Sequence, residues 1–241
     1  MSRAGLTSET VFHTWDDYYI PGTSVLRNKF TTPEKPYGET DRSVLRILET
    51  AATAFRLTEM ARRPILSRFD YDHMKAIHRY IFQDVYEWAG QERVAPVGEF
   101  MTKTGPDVIN YPPGDPTAPQ VPYNYYPAGP ALTAAAEEQY QRLAYKNLLR
   151  GLDRDEFVTE LAEVWGELNV VHSFREGNTR SQFVFFSQLA QQAGWQLNPA
   201  YFAPGTPGSN DFIAARFHSQ ATGRNDRLAA VFAREITLFR N

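Results

Sequence analysis

Phe157, Leu161, Val164, Leu168 and Val171 step by four, three, four and three, the spacing that lines apolar side chains along one stripe of a helix. Asp153 and Glu156 stand just before that stripe as D-x-x-E, a capping box that starts the helix at 154. A second stripe of Phe183, Phe186, Leu189, Ala190 and Ala193 follows and is stopped by Gly194. The spacing predicts buried helices over 154–171 and 178–193, joined through little more than HSFREGN. A chain patterned this way has to fold around the pair, and a polar connector gripped by two rigid elements is preorganised for chemistry.

Most of the remaining sequence has the same period. DRSVLRILETAATAFRLTEMARR places Val44, Leu45, Leu48, Ala52, Phe55 and Leu57 near helical spacing and ends at Pro64. Asp70 caps YDHMKAIHRYIFQDVYEWAG, in which Met74, Ile77, Ile81 and Val85 form the apolar face and Gly90 is the stop. ALTAAAEEQYQRLAYKNLLRG and the segments 209–219 and 225–239 also read as helices. ERVAPVGEFM alternates loosely and reads as a short hairpin or extended flap. Residues 105–130 hold eight of the 16 prolines, interleaved with Tyr111, Tyr123, Tyr125 and Tyr126. That composition excludes a regular helix and a central strand, leaving a surface excursion or a lid beside a site. The expected architecture is mainly α, a single domain over 1–241 with its core at about 40–195 and a short β-hairpin flap.

Composition narrows the chemistry. Cysteine is absent, which removes disulfides, thiolate catalysis and Cys-based zinc sites and fits a cytoplasmic protein. A net charge of −3 argues against a general nucleic-acid binder, and Arg62, Arg63 and Arg68 read as a solvated helix end. No apolar run is long enough to span a membrane, and MSRAGLTSET lacks the order of a secretory signal.

The connector itself carries a reactive set. Gly177 and Asn178 fall where the second helix begins, and the first N–H groups of a helix have no internal partner. With the helix dipole and Arg180 in the first turn, this is an anion cradle. Glu176 beside it would repel a phosphate unless a divalent cation lay between, and Mg²⁺ is held in that way by one or two carboxylates plus phosphate oxygens. His172 ends the preceding helix and is suited to take a proton from an attacking hydroxyl. A histidine at a helix end is also a common cap, and Glu-Gly-Asn a common turn. Taken together the residues spell phosphoryl or nucleotidyl transfer.

At these residues the chain resembles the Fic family, whose signature runs H-P-F-x-[D/E]-G-N-G-R-x-x-R. DDYYIPGTSVLRNKF (16–30) is similar to the opening of Fic toxins that pair with a separate small antitoxin, and IHRYIFQDVYEWAGQER (77–93) to the segment before the family's target-docking flap. The resemblance implies a Fic fold and a protein adenylyltransferase that moves AMP from ATP to a hydroxyl of a target protein. It assigns His172 as base, Glu176 to Mg²⁺, Gly177, Asn178, Thr179 and Arg180 to the nucleotide phosphates, and Arg93, Val94, Val97 and Phe100 to the flap. Three positions depart from the signature: Ser173 replaces proline, Thr179 the second glycine, and Phe183 the second arginine, which in the family reaches the outer phosphate. A catalytically silent binding module or a transferase with another donor is the alternative reading. No complete [S/T]-x-x-x-E-[G/N] inhibitory element stands in the N- or C-terminal helices, so a separate helical inhibitor near residues 40–62 is expected. Kin with this opening act on type II topoisomerase subunits.

Overall fold

The structure, a computed structural model, describes residues 12–65, 68–203 and 205–239; the opening decapeptide lies outside them. Helix α4 (Arg154–Val171) is the axis of the molecule. Its capping box forms as the sequence requires, with the Asp153 carboxylate accepting from Glu156 N and the Glu156 side chain accepting from Asp153 N. The stripe of Phe157, Leu161 and Trp165 is completely buried. Around it pack α3 (Pro130–Tyr145), α5 (Asn178–Gln192), α6 (Pro207–Thr222) and α7 (Asp226–Glu235). The Trp165 ring stacks on Phe186 at 4.4 Å and on Phe232 at 4.9 Å, locking α5 and α7 onto α4.

Helix α2 (Tyr71–Phe82) lies against α5, and α1 (Arg42–Arg62) lies outside it against α2. The Asp70 cap forms, accepting from His73 N at 2.9 Å. α2 ends earlier than its apolar pattern suggested: the N–H groups of Val85 and Tyr86 both fold back onto the Phe82 carbonyl at 2.9 Å. The apolar face expected for α1 needs correction as well. Leu45, Thr53 and Met60 are its buried residues, whereas Val44, Ile47 and Phe55 face outward. α1 is an edge helix, so Val44, Ile47 and Phe55 stay uncovered.

Two small sheets complete the fold. β1 (Met101–Pro106) pairs antiparallel with β2 (Gln120–Tyr125), from Met101 opposite Tyr125 to Pro106 opposite Gln120. The flap therefore sits further along the chain than ERVAPVGEFM, whose residues run extended through a cis Ala95–Pro96 bond. The proline-rich excursion supplies the second strand. Both strands are edges, where proline costs no ladder partner, and Tyr123 and Tyr125 alternate inward. At the other end α7 stops at Glu235 rather than 239, because Ile236–Leu238 pairs as β4 with Trp195–Leu197 (β3). One apolar cluster runs from Phe12 through all seven α-helices of the described residues to Ile236.

Candidate active site

His172 caps the C-terminus of α4 in the left-handed region, φ 52° and ψ 59°, which turns the chain out of the helix. The carbonyls freed at that end are gathered by one side chain. Arg93 Nε donates to the His172 carbonyl at 2.8 Å, and its remaining nitrogens reach the carbonyls of Ala95, Tyr126 and Val171. Arg93 is 1% exposed, and burial lowers its pKa to about 10, so it keeps its charge at neutral pH. This corrects its expected place on the flap: it is a clamp on the loop, sealed from any partner. Val94 is half-buried against the core, while Val97 and Phe100 are exposed.

Phe174 points inward and stacks on His78 at 3.8 Å. His78 accepts from Gly90 N at Nδ1, so its other nitrogen carries the proton and donates to the Glu176 carbonyl at 2.9 Å. Burial pushes the His78 pKa down to about 3, and the ring stays neutral. Asn178 closes the loop on itself: its Oδ1 accepts from Phe174 N at 2.9 Å and its Nδ2 donates to the Phe174 carbonyl at 2.7 Å. Its side chain is consumed in the turn and leaves only its backbone N–H for a phosphate. Gly177 is the N-cap of α5 at φ 83°, and a Cβ there would sit 2.3 Å from the Phe82 ring. Lacking a side chain, it leaves the first-turn N–H groups uncapped.

His172 and Glu176 both lie in the connector, at its two sides. His172 is 4% exposed, and neither ring nitrogen has a hydrogen-bond partner. Burial holds its pKa well below the usual value, and the charges of Lys103, Arg216 and Arg93 press it the same way. Tyr125 covers the imidazole, ring centres 4.2 Å apart. Glu176 is partly exposed, and its carboxylate accepts from Gly177 N at 3.1 Å. No cluster of three or more metal-binding side chains exists among the described residues. A lone carboxylate of this kind fits Mg²⁺ only in its nucleotide-bound mode, with phosphate oxygens as the other ligands.

Arg180 faces α1. It pairs with Glu49, donates to Thr53 Oγ1 at 3.3 Å, and lies over the Phe82 ring at 4.5 Å. Phe183 is half-buried and packs against the core among Trp165, Phe202 and Phe212. Thr179 Oγ1 accepts from Arg216 of α6 at 2.9 Å. Arg216, Lys103, Glu49, His78 and Tyr125 went unnoticed in the sequence as site residues. Their nearness to the loop is a product of packing, and only a lone arginine beside the apolar pattern of α6 hinted at one of them.

One connector thus holds a histidine, a carboxylate and an uncapped helix start. The chain belongs to the Fic/DOC family, whose model matches residues 68–190. It is similar to the protein adenylyltransferase VbhT of Bartonella schoenbuchensis, 35% identical over 183 residues that make up 76% of this chain and 32% of that relative. The chain spans about a third of the length of the first two relatives it matches. It is also similar to the probable protein adenylyltransferase Fic of Escherichia coli, 31% identical over 187 residues covering 76% of each chain. The fold is that of BepC from Bartonella tribocorum, solved with bound AMPPNP, at a TM-score of 0.72 and 22% identity over 93% of this chain and 98% of that one.

Proposed function

We propose that this chain transfers AMP from ATP to a hydroxyl side chain of a target protein. The observation that carries the reading is His172: a neutral, buried imidazole with both nitrogens unbonded, four residues from a free carboxylate and five from an uncapped helix start. The target oxygen attacks the α-phosphorus, its proton passes to His172, and the bond from the α-phosphorus to the bridging oxygen breaks, releasing pyrophosphate. Burial suits His172 to this, because it keeps the ring unprotonated well below neutral pH.

Gly177 and the following N–H groups of α5 receive the phosphates, and Arg180 joins them on exchanging Glu49 for the nucleotide. Thr179 lies in the same turn. Glu176 would hold Mg²⁺, which offsets the charge of the polyphosphate when bound. A target hydroxyl reaches His172 once Tyr125 has moved aside, and Val97 and Phe100 offer the exposed apolar side chains that a docking strand would cover.

The reading includes a toxin-like role with a separate inhibitor. Val44, Ile47 and Phe55 leave an apolar face on α1, near residues 40–62, that a small helical protein would cover, on the side of the helix away from the Glu49–Arg180 pair. A type II topoisomerase subunit is the target that the resemblance suggests. No helix of the described residues is long and apolar enough to cross a membrane. One set of observations favours the silent-module alternative: Arg180 is engaged by Glu49, Phe183 packs against the core, and Tyr125 covers His172. Incubation with labelled ATP, Mg²⁺ and a bacterial lysate separates the two. The transferase labels a protein and the His172→Ala variant does not. Absence of label from the unaltered chain, with no Mg²⁺-dependent ATP binding by calorimetry, leaves the silent module.

A further inference from the structure

Helix α6 brings to the connector a guanidinium that the connector's own sequence lacks. Arg216 donates through Nε to Asn169 Oδ1 at 2.8 Å, through Nη2 to the same oxygen, and through Nη1 to Thr179 Oγ1 at 2.9 Å. Its stem lies beside Phe212, 5.4 Å from the ring centre. Those bonds fix the plane of the fork and leave one N–H on each terminal nitrogen free.

Both acceptors are neutral. Arg216 takes part in no ion pair among the described residues. Burial lowers its pKa to about 10, opposed only by the neighbouring Tyr125 hydroxyl. The Arg216 charge is felt by Lys103 and by His172, and the other charges that act on those two are the cations Arg175 and Arg93 and one carboxylate, Glu176. A partly buried cation without a counter-ion is costly, and a fold retains one where an anion completes it. The hydroxyl that orients this cation belongs to Thr179, in the first and uncapped turn of α5.

We infer that Arg216 is a ligand of the nucleotide phosphates, supplying from α6 the second guanidinium that is missing at Phe183, with Asn169 and Thr179 as its positioning residues. The inference rests on the nucleotidyl-transfer reading and deepens it. It also gives Thr179 a purpose: the glycine of the family signature has no oxygen with which to hold an arginine.

Calorimetric titration of the full chain with ATP and Mg²⁺ tests this on Arg216→Met, Arg216→Lys and Thr179→Gly. Loss of one charge-assisted hydrogen bond to phosphate weakens affinity roughly 10- to 100-fold in Arg216→Met, and Arg216→Lys falls between that variant and the unaltered chain. Thr179→Gly, which restores the family residue, weakens binding rather than improving it. Arg216→Met without nucleotide melts below the unaltered chain, because the hydrogen bonds to Asn169 and Thr179 are lost, and affinities are therefore compared at a temperature where both proteins are folded. Unchanged ATP affinity in Arg216→Met, or tighter binding in Thr179→Gly, overturns the assignment. If Arg216→Met fails to fold, Arg216→Lys and Thr179→Gly decide by the same measure. No ATP affinity in the unaltered chain overturns this inference and the nucleotidyl-transfer reading together. Affinity that depends on Arg216 without any AMP transfer overturns only that reading.

Discussion

The connector at 172–180 and the hairpin that covers it meet at one ring contact, Tyr125 on His172, yet they are held in opposite ways. The connector is fastened by buried hydrogen bonds, its own and those of distant clamps: Asn178 bonds both ways to the Phe174 backbone, His78 of α2 bridges Gly90 and the Glu176 carbonyl, and Arg93 gathers the end of α4. The hairpin rests on α6 through Tyr123 against Phe217 at 4.3 Å and through Gln220 Nε2 donating to the Asn124 carbonyl at 2.6 Å. The difference separates two tasks. A reactive group needs a fixed frame, and a cover has to be able to leave.

The largest effect follows from breaking the chemistry while sparing the frame. His172→Ala lowers AMP transfer roughly 10²- to 10⁴-fold, the usual contribution of a general base, and leaves ATP affinity near that of the unaltered chain. Single-turnover labelling and calorimetry together check this. Breaking the frame instead acts on stability. Gly177→Ala forces a Cβ onto the Phe82 ring in left-handed backbone and lowers folding stability by about 3 kcal/mol, read from urea denaturation.

Acid acts on the frame as well. Unfolded His78 titrates near 6.5 and folded His78 at about 3, so between those values only the unfolded chain binds the proton. Its contribution is therefore intact above about pH 6.5 and is lost as the pH falls toward about 3. The loss is about 1.4 kcal/mol per unit, or about 2 kcal/mol by pH 5. Urea midpoints compared at pH 7 and 5 show a smaller drop in a His78→Gln variant.

The smallest effect on stability belongs to the cover. A Cβ at Gly105 would lie 2.5 Å from the Phe217 ring, so Gly105→Ala lifts the hairpin from α6. The cost to global stability is within about 1 kcal/mol, because that contact lies at the edge of the fold. Reaction of His172 with an imidazole-modifying reagent then becomes faster, while the same change leaves buried His78 unreactive. Equal protection of His172 in both proteins would mean that the hairpin is not what shields it.

Those elements whose causes lie within a few residues could be read directly. The Asp153 box and the stripe from Phe157 to Val171 gave α4 its observed bounds, and the inward Phe174 needed no more than its setting between two buried helices. Phe183 already belonged to an apolar stripe, and it packs as one. The hairpin was misplaced because prolines at 106 and 122 mask a strand unless it is known to be an edge. The apolar face of α1 needed correction because which side of a helix is covered depends on where its neighbours lie.

The sequence alone determined the helical frame and the position of the connector between α4 and α5, since periodicity, caps and a short motif are local. Tertiary structure decided which charges face that connector: Arg180 turned to Glu49, Asn178 spent on the turn, and Arg216 brought to Thr179 from 37 residues away. Electrostatics act through space, and no spacing along the chain records which distant side chain packing will bring within reach.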